Sequence, residues 1–220
     1  MPSQQGVVEG LTSVVVREFV GRRAETEDVT STLPVESQAA LRQFSLEGTT
    51  GYGVDYADAV ELRARVLGGQ DWRSAATELA DACLRRVEAA PETAGAATRI
   101  AYLRRASALL RMSQMMMLSD TTERREIFAK AAELYAQAAE LRGDRERVTI
   151  DTDHGPLAGW LAPAGGNAVA SAVVIGGIEG WAMDFHSLGE ALVARGVDAL
   201  LLDGPGQGPG PGARWSRCGR

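Results

Sequence analysis

The sequence predicts an α/β fold in which an N-terminal helical domain is followed by the first part of a parallel sheet. Three observations predict it. From Val54 to Arg142 the chain is rich in Ala, Leu, Arg and Glu and poor in helix breakers. From Val148 onward it is rich in Gly, Pro and Val. Two continuous apolar runs, Ala170–Ile175 and Val197–Leu202, flank a segment of helical period, which is the pattern of a βαβ crossover. The change of regime falls at Gly143–Arg147, a short charged linker. Domains are therefore expected at 1–147 and 148–208, with 209–220 as a tail.

Before residue 50 the text is less regular. Val14–Val20 and Ala39–Leu46 read as short helices, and Thr49-Thr50-Gly51 as a break. Tyr56–Leu67 reads as a helix ended by Gly68-Gly69. Asp71–Ala89 is the next, with Asp71 or Ser74 as N-cap and Pro91 beyond its end. Ala94–Leu118 carries Ile100, Leu103, Ala106, Leu110 and Met117 at helical spacings, and Thr121–Leu141 carries Ile127, Leu134, Ala138 and Leu141. A short polar loop separates these two, so they are expected to form a helical hairpin. After residue 147 the period changes. Val148–Asp151 alternates, and Leu157–Leu161 follows the turn-forming Asp153-His154-Gly155-Pro156, the signature of a β-hairpin. Ala170–Ile175 has the continuous apolar character of a strand buried on both faces. Ala182–Arg195 reads as a helix with Phe185, Leu188 and Leu192 on one face and Gly196 after its end. Val197–Leu202 is a second buried strand.

Composition excludes several classes. The 220-residue chain carries a net charge of −6, with a pI near 5.1, so it has no general attraction for nucleic acid or anionic membrane. Its two cysteines, Cys83 and Cys218, form no CxxC, which argues against a zinc site and for a reducing compartment. No secretory signal and no membrane-spanning run is visible. A cytoplasmic location is expected, with no cofactor and no metal.

The chemistry-bearing residues cluster after the two apolar strands. The first ends in Gly176-Gly177-Ile178-Glu179-Gly180 and the second in Asp203-Gly204-Pro205-Gly206-Gln207-Gly208. Ligand crevices of open parallel sheets lie beyond the carboxyl ends of the strands, so both glycine-rich turns are expected on one functional edge. Glycine there lets backbone N–H groups approach a developing oxyanion closely.

The stretch VVIGGIEGWAMDFHSLGEALVARGVDALLLDGPGQG resembles the early core of the α/β-hydrolase superfamily. Within it, the pairing of GGIE with LDGPGQG is similar to the esterase FrsA-like, dihydroxypseudooxynicotine hydrolase-like group, which carries a helical domain ahead of the core. The resemblance covers about residues 50 to 208. It implies an oxyanion turn at Gly176, Gly177 and Ile178, with the Ile178 N–H as donor. It implies a site role for Glu179, and a site-shaping loop at Asp203, Gly204 and Gly206. It implies hydrolysis of a small organic ester, amide or activated carbon–carbon bond, with a small-molecule substrate. A homodimer is compatible with it. The sequence holds no G-x-S-x-G nucleophile elbow, and in the superfamily the acid and the histidine follow that elbow. The chain is thus expected to be an incomplete, inactive hydrolase, and Pro209–Arg220 does not resemble the superfamily. The alternative is a helical interaction module built on Val54–Arg142, although no 34-residue repeat is present.

Other residues have plainer readings. His154 and His186 are expected to be structural or exposed. Asp151, Asp153 and His154 read as a turn rather than a metal site. Met115-Met116-Met117 reads as core filler, with an apolar pocket lining as the alternative. Arg85-Arg86, Arg104-Arg105 and Arg124-Arg125 read as solvated helix faces with nearby Glu partners. Cys83 reads as a small buried hydrophobe. Gly204–Gly212 fits no phosphate-loop pattern.

Overall fold

A computed structural model describes residues 32–91, 95–117, 119–153, 155–166, 168–177, 180–205 and 207. The expected helix at Val14–Val20 lies outside the described residues, as does His154.

Six helices precede the sheet among these residues: α1 (Val35–Gln43), α2 (Leu46–Gly51), α3 (Tyr56–Leu67), α4 (Trp72–Ala89), α5 (Ala96–Ser113) and α6 (Thr122–Arg142). The expected Ala39–Leu46 helix is instead the end of α1 and the start of α2, and the expected break at Thr49-Thr50-Gly51 is helical. The cause is local. Ser45 caps α2, its Oγ accepting from the Gly48 N–H at 3.0 Å, and the Thr49 and Thr50 hydroxyls donate to the Ser45 and Glu47 carbonyls at 2.8 Å each. Asp55, Asp71 and Thr121 cap α3, α4 and α6 in the same way. Gly143 ends α6 with φ +65°, the left-handed position that favours glycine.

The helices pack around Trp72, which is 1% exposed, stacks on Phe44 with ring centroids 5.8 Å apart, and donates from Nε1 to the Met112 carbonyl at 2.9 Å. Small residues bring α5 and α6 together: Ala106, Ala131 and Ala138 are fully buried, and the Ser107 hydroxyl donates to the Ala131 carbonyl across the contact at 2.7 Å. Met115 is buried and Met116 packs on the core, as core filler should. Cys83 is buried, and burial pushes its thiol up to about 11, so it is an inert hydrophobe at neutral pH. Arg104 and Arg105 depart from the expectation of solvated faces. Arg105 forks onto the Asp58 carboxylate at 2.6 and 2.7 Å, tying α5 to α3, and Arg104 holds Asp144 at 2.9 Å. Both side chains are largely shielded, because the partners are on neighbouring elements rather than on their own helix.

The sheet has strands β1 (Glu146–Ile150), β2 (Leu157–Ala162), β3 (Ala170–Ile175) and β4 (Val197–Leu202) in the order β1-β2-β4-β3. β1 and β2 form the expected hairpin, β2 pairs antiparallel with β4, and β3 pairs parallel with β4 from Ala170↔Val197 to Ile175↔Leu202. The expected helix at Ala182–Arg195 is a 3₁₀ turn, Ala182–Phe185, followed by α7 (His186–Val193).

β3 is not buried on both faces. It is an edge strand among the described residues, with Val173 and Ile175 more than half exposed. Only the face carrying Val174 packs on the core, and it continues into Leu201, Trp160, Ala199 and Ala162, all buried. The helical part covers that face. Trp160 meets Tyr135 of α6 with centroids 4.8 Å apart, and Trp181 meets Phe128 of α6 at 5.5 Å. Helices and strands share one hydrophobic cluster.

Candidate functional site

β3 and β4 run parallel, so their carboxyl ends emerge together. The turns that follow are tied to each other by one side chain. Gln207 Nε2 donates to the Gly177 carbonyl, Gln207 Oε1 accepts from the Gly204 N–H at 2.9 Å, and the Gln207 carbonyl accepts from Trp181 Nε1 at 3.1 Å. Gly177 and Gly204 are thus brought together as the sequence implied. The Gly180 N–H also donates to the Gly177 carbonyl at 3.0 Å, closing a tight turn. Ile178, Glu179 and Gly206 lie outside the described residues.

The steric demand in this turn falls on Gly176. A Cβ there would stand 2.7 Å from the Gly180 carbonyl oxygen and 3.0 Å from the Phe185 ring, whereas a Cβ on Gly177 would meet nothing within 4 Å. Gly176→Ala is therefore expected to displace the turn and cost about 1–3 kcal/mol. Urea unfolding measures the loss, and hydrogen exchange at the Gly180 amide locates it. An unchanged midpoint with unchanged exchange would show that the turn is not held by this contact.

Asp203, at the end of β4, is buried. Its Oδ1 accepts from the Ala182 N–H at 2.7 Å, and its own N–H donates to the Ala158 carbonyl at 2.9 Å. Burial pushes its carboxyl up to about 6, against the pull of that N–H. The residue therefore fixes the start of the 3₁₀ turn to the sheet.

Two residues that sequence reasoning passed over join this edge to the helices. Arg111, 3% exposed, donates from Nε to Asp184 Oδ1 at 2.7 Å, from Nη1 to the Ser107 hydroxyl at 2.8 Å, and from Nη2 to the Tyr52 carbonyl at 3.2 Å. The other oxygen of Asp184 accepts from the Trp181 N–H at 2.8 Å. Burial pushes the Asp184 carboxyl up, and the Arg111 charge opposes it. A lone charge in the apolar run Ala106–Met112 and an acid three residues after Trp181 were the available signals.

His186, expected to be structural or exposed, is largely shielded from solvent. Arg145 Nη1 donates to the Tyr135 hydroxyl at 2.6 Å, and that hydroxyl shares a hydrogen bond of 2.8 Å with His186 Nδ1. Its other ring nitrogen, Nε2, lies 3.4 Å from Glu190 Oε1. Burial and the nearby charges of Arg145 and Arg104 push the imidazole down to about 3, so it is neutral.

Between α2 and the turn after β3 lies a cavity of about 390 Å³, lined among the described residues by Gly48, Gly51, Tyr52, Gly177, Gly180, Asp184 and Phe185. It is within the size range of small-molecule sites. No group of three or more His, Cys, Asp or Glu able to hold a metal occurs among the described residues, and no described helix is long and apolar enough to cross a membrane.

No protein-family model matches the chain, and no curated protein matches it. Among solved structures it is similar to 2,6-dihydroxy-pseudo-oxynicotine hydrolase, at 26% identity and TM-score 0.59, covering 73% of this chain and 45% of that one. It is similar also to AbyA5, at 16% identity and TM-score 0.52, covering 70% of this chain and 42% of that one, a likeness of fold alone. The chain thus spans less than half the length of the solved structures it matches. A helix-rich body on a small mixed sheet, with glycine turns at the carboxyl ends of β3 and β4, gives this chain an α/β-hydrolase-like fold.

Proposed function

We propose that this chain supplies the helical domain and the oxyanion turn of an α/β-hydrolase of the esterase FrsA-like, dihydroxypseudooxynicotine hydrolase-like group. The reaction class is hydrolysis of a small organic ester, amide or activated carbon–carbon bond. The observation that carries the reading is the cavity beyond the carboxyl end of β3, closed on its other side by α2. Such a place suits a substrate whose carbonyl oxygen meets backbone N–H groups of the 176–178 turn while the helical part encloses the rest. The 26% identity to a hydrolase of known structure supports the same reading.

The described residues of the chain hold no activated nucleophile. The chain has no G-x-S-x-G, and its one described histidine is committed to Tyr135 with its proton affinity suppressed. We therefore expect no saturable turnover of p-nitrophenyl acetate or butyrate by the purified chain. Saturable turnover that disappears in Glu179→Ala would overturn the expected inactivity. Reading the gene beyond codon 220 in all frames tests the family assignment itself. A G-x-S-x-G followed by an acid and a histidine supports it, and their absence from every frame would sink it.

A further inference from the structure

We propose that Asp203 is a proton-operated clamp on the two glycine turns of the candidate site. Its bearing on activity rests on reading those turns as the site of a hydrolase core, while the clamp itself belongs to this chain. Two buried carboxylates hold consecutive backbone N–H groups at the start of the 3₁₀ turn. Asp184 accepts from Trp181 at 2.8 Å, and Asp203 accepts from Ala182 at 2.7 Å. One guanidinium stands by the pair, and of the two acids it bonds Asp184, at 2.7 Å. Asp203 forms no ion pair among the described residues. With both acids ionised, one buried negative charge is left without a cation in contact.

The surroundings of Asp203 favour a proton. Phe128 of α6, Trp160 of β2 and Met183 of the turn line a small crevice with it. The charged groups facing it are Asp184 of the turn, Arg111 of α5 and Arg147 of β1, and Arg147 is exposed. Burial raises the carboxyl to about 6, against the Ala182 N–H. The Asp184 charge adds to the rise, and the two arginines oppose it.

The ionised form is the better clamp, because an N–H bond to a carboxylate is shorter and stronger than one to a neutral acid. A proton on Asp203 therefore slackens the Ala182 bond, and short links carry the change to both turns. Trp181, the residue before Ala182, donates from Nε1 to the Gln207 carbonyl. The Gln207 side chain holds the Gly177 carbonyl and the Gly204 N–H, and Gly204 follows Asp203 directly. The turns are thus held above about pH 6 and slackened below it.

The test is an NMR titration of the full chain from about pH 8 to about pH 4.5. It follows the Asp203 carboxyl carbon, the backbone amides of Gly177, Gly180, Ala182 and Gly204, and the Trp181 indole N–H. All are expected to shift together with a midpoint near 6, against 3.8 for an ordinary Asp. Asp203→Asn keeps a neutral acceptor in place and is expected to abolish the shared titration. If that variant does not fold, the unaltered chain decides, through the agreement of its carboxyl and amide midpoints. His154→Gln, run alongside, marks any signal that follows that ring, whose ordinary value of about 6.5 falls in the same range. A carboxyl carbon that titrates near 3.8 would overturn the clamp. So would amide and indole signals that stay still while it titrates, that titrate equally in Asp203→Asn, or that stop titrating in His154→Gln. The hydrolase assignment would stand in each case, since the gene beyond codon 220 decides it.

Discussion

Arg111→Met is expected to destabilise the protein by about 3–5 kcal/mol at neutral pH, because it strands Asp184 as a buried carboxylate with no cation. Both side chains of this pair are 3% exposed, so water cannot replace the lost partner. The same substitution removes the donors to Ser107 and to the Tyr52 carbonyl. Urea unfolding of four chains decides the matter: wild type, Arg111→Met, Asp184→Leu and the double variant. The double variant removes both charges and is expected to recover most of the loss, since an apolar pair of similar volume carries no desolvation penalty. Additive losses would mean that the pair is not coupled and that its geometry here is incidental.

The stability conferred by His186 is expected to fall by about 3 kcal/mol between pH 7 and pH 4. In the unfolded chain the imidazole takes up a proton below its ordinary value of 6.5, but in the folded chain only near 3. Between those values the unfolded state binds the extra proton, so acidification favours unfolding by about 1.4 kcal/mol per pH unit. Asp203 acts in the opposite sense: its folded carboxyl takes up a proton near 6, above its ordinary 3.8, so acidification through that range favours the folded state. Comparing wild type with His186→Gln cancels the Asp203 contribution, which both chains share. The stability difference between them should shrink steadily below pH 6.5. A difference independent of pH would show that His186 is exchanging protons freely in the folded protein.

Local chemistry was the legible part of this chain. Asp71 and Thr121 announced the starts of α4 and α6, and the apolar runs matched β3 and β4 to the residue. What periodicity could not show was which side of an apolar run meets protein. Ala170–Ile175 has the composition of a doubly covered strand, yet its Val173 and Ile175 face outward, because coverage depends on elements far away in sequence. Likewise a sheet of four strands reads as a poor core on its own. Trp160 and Trp181 look like isolated aromatics in the sequence, and only the fold seats them on Tyr135 and Phe128. At the site, the glycines of both turns were readable and Gly176 is sterically required, but Arg111, Asp184 and Gln207 act between elements. Side chains that bridge distant segments leave no spacing to detect.

The shared core limits how the molecule can breathe. A helical part that rested on the sheet through a thin hinge could swing open like a lid and let a guest in from above. Here, lifting it would pull Trp160 and Trp181 from among the α6 side chains and part Arg111 from Asp184 in the same stroke. Such an opening is closer to unfolding than to gating. A route into the cavity that leaves α6 seated on the sheet therefore costs less than lifting the helical part.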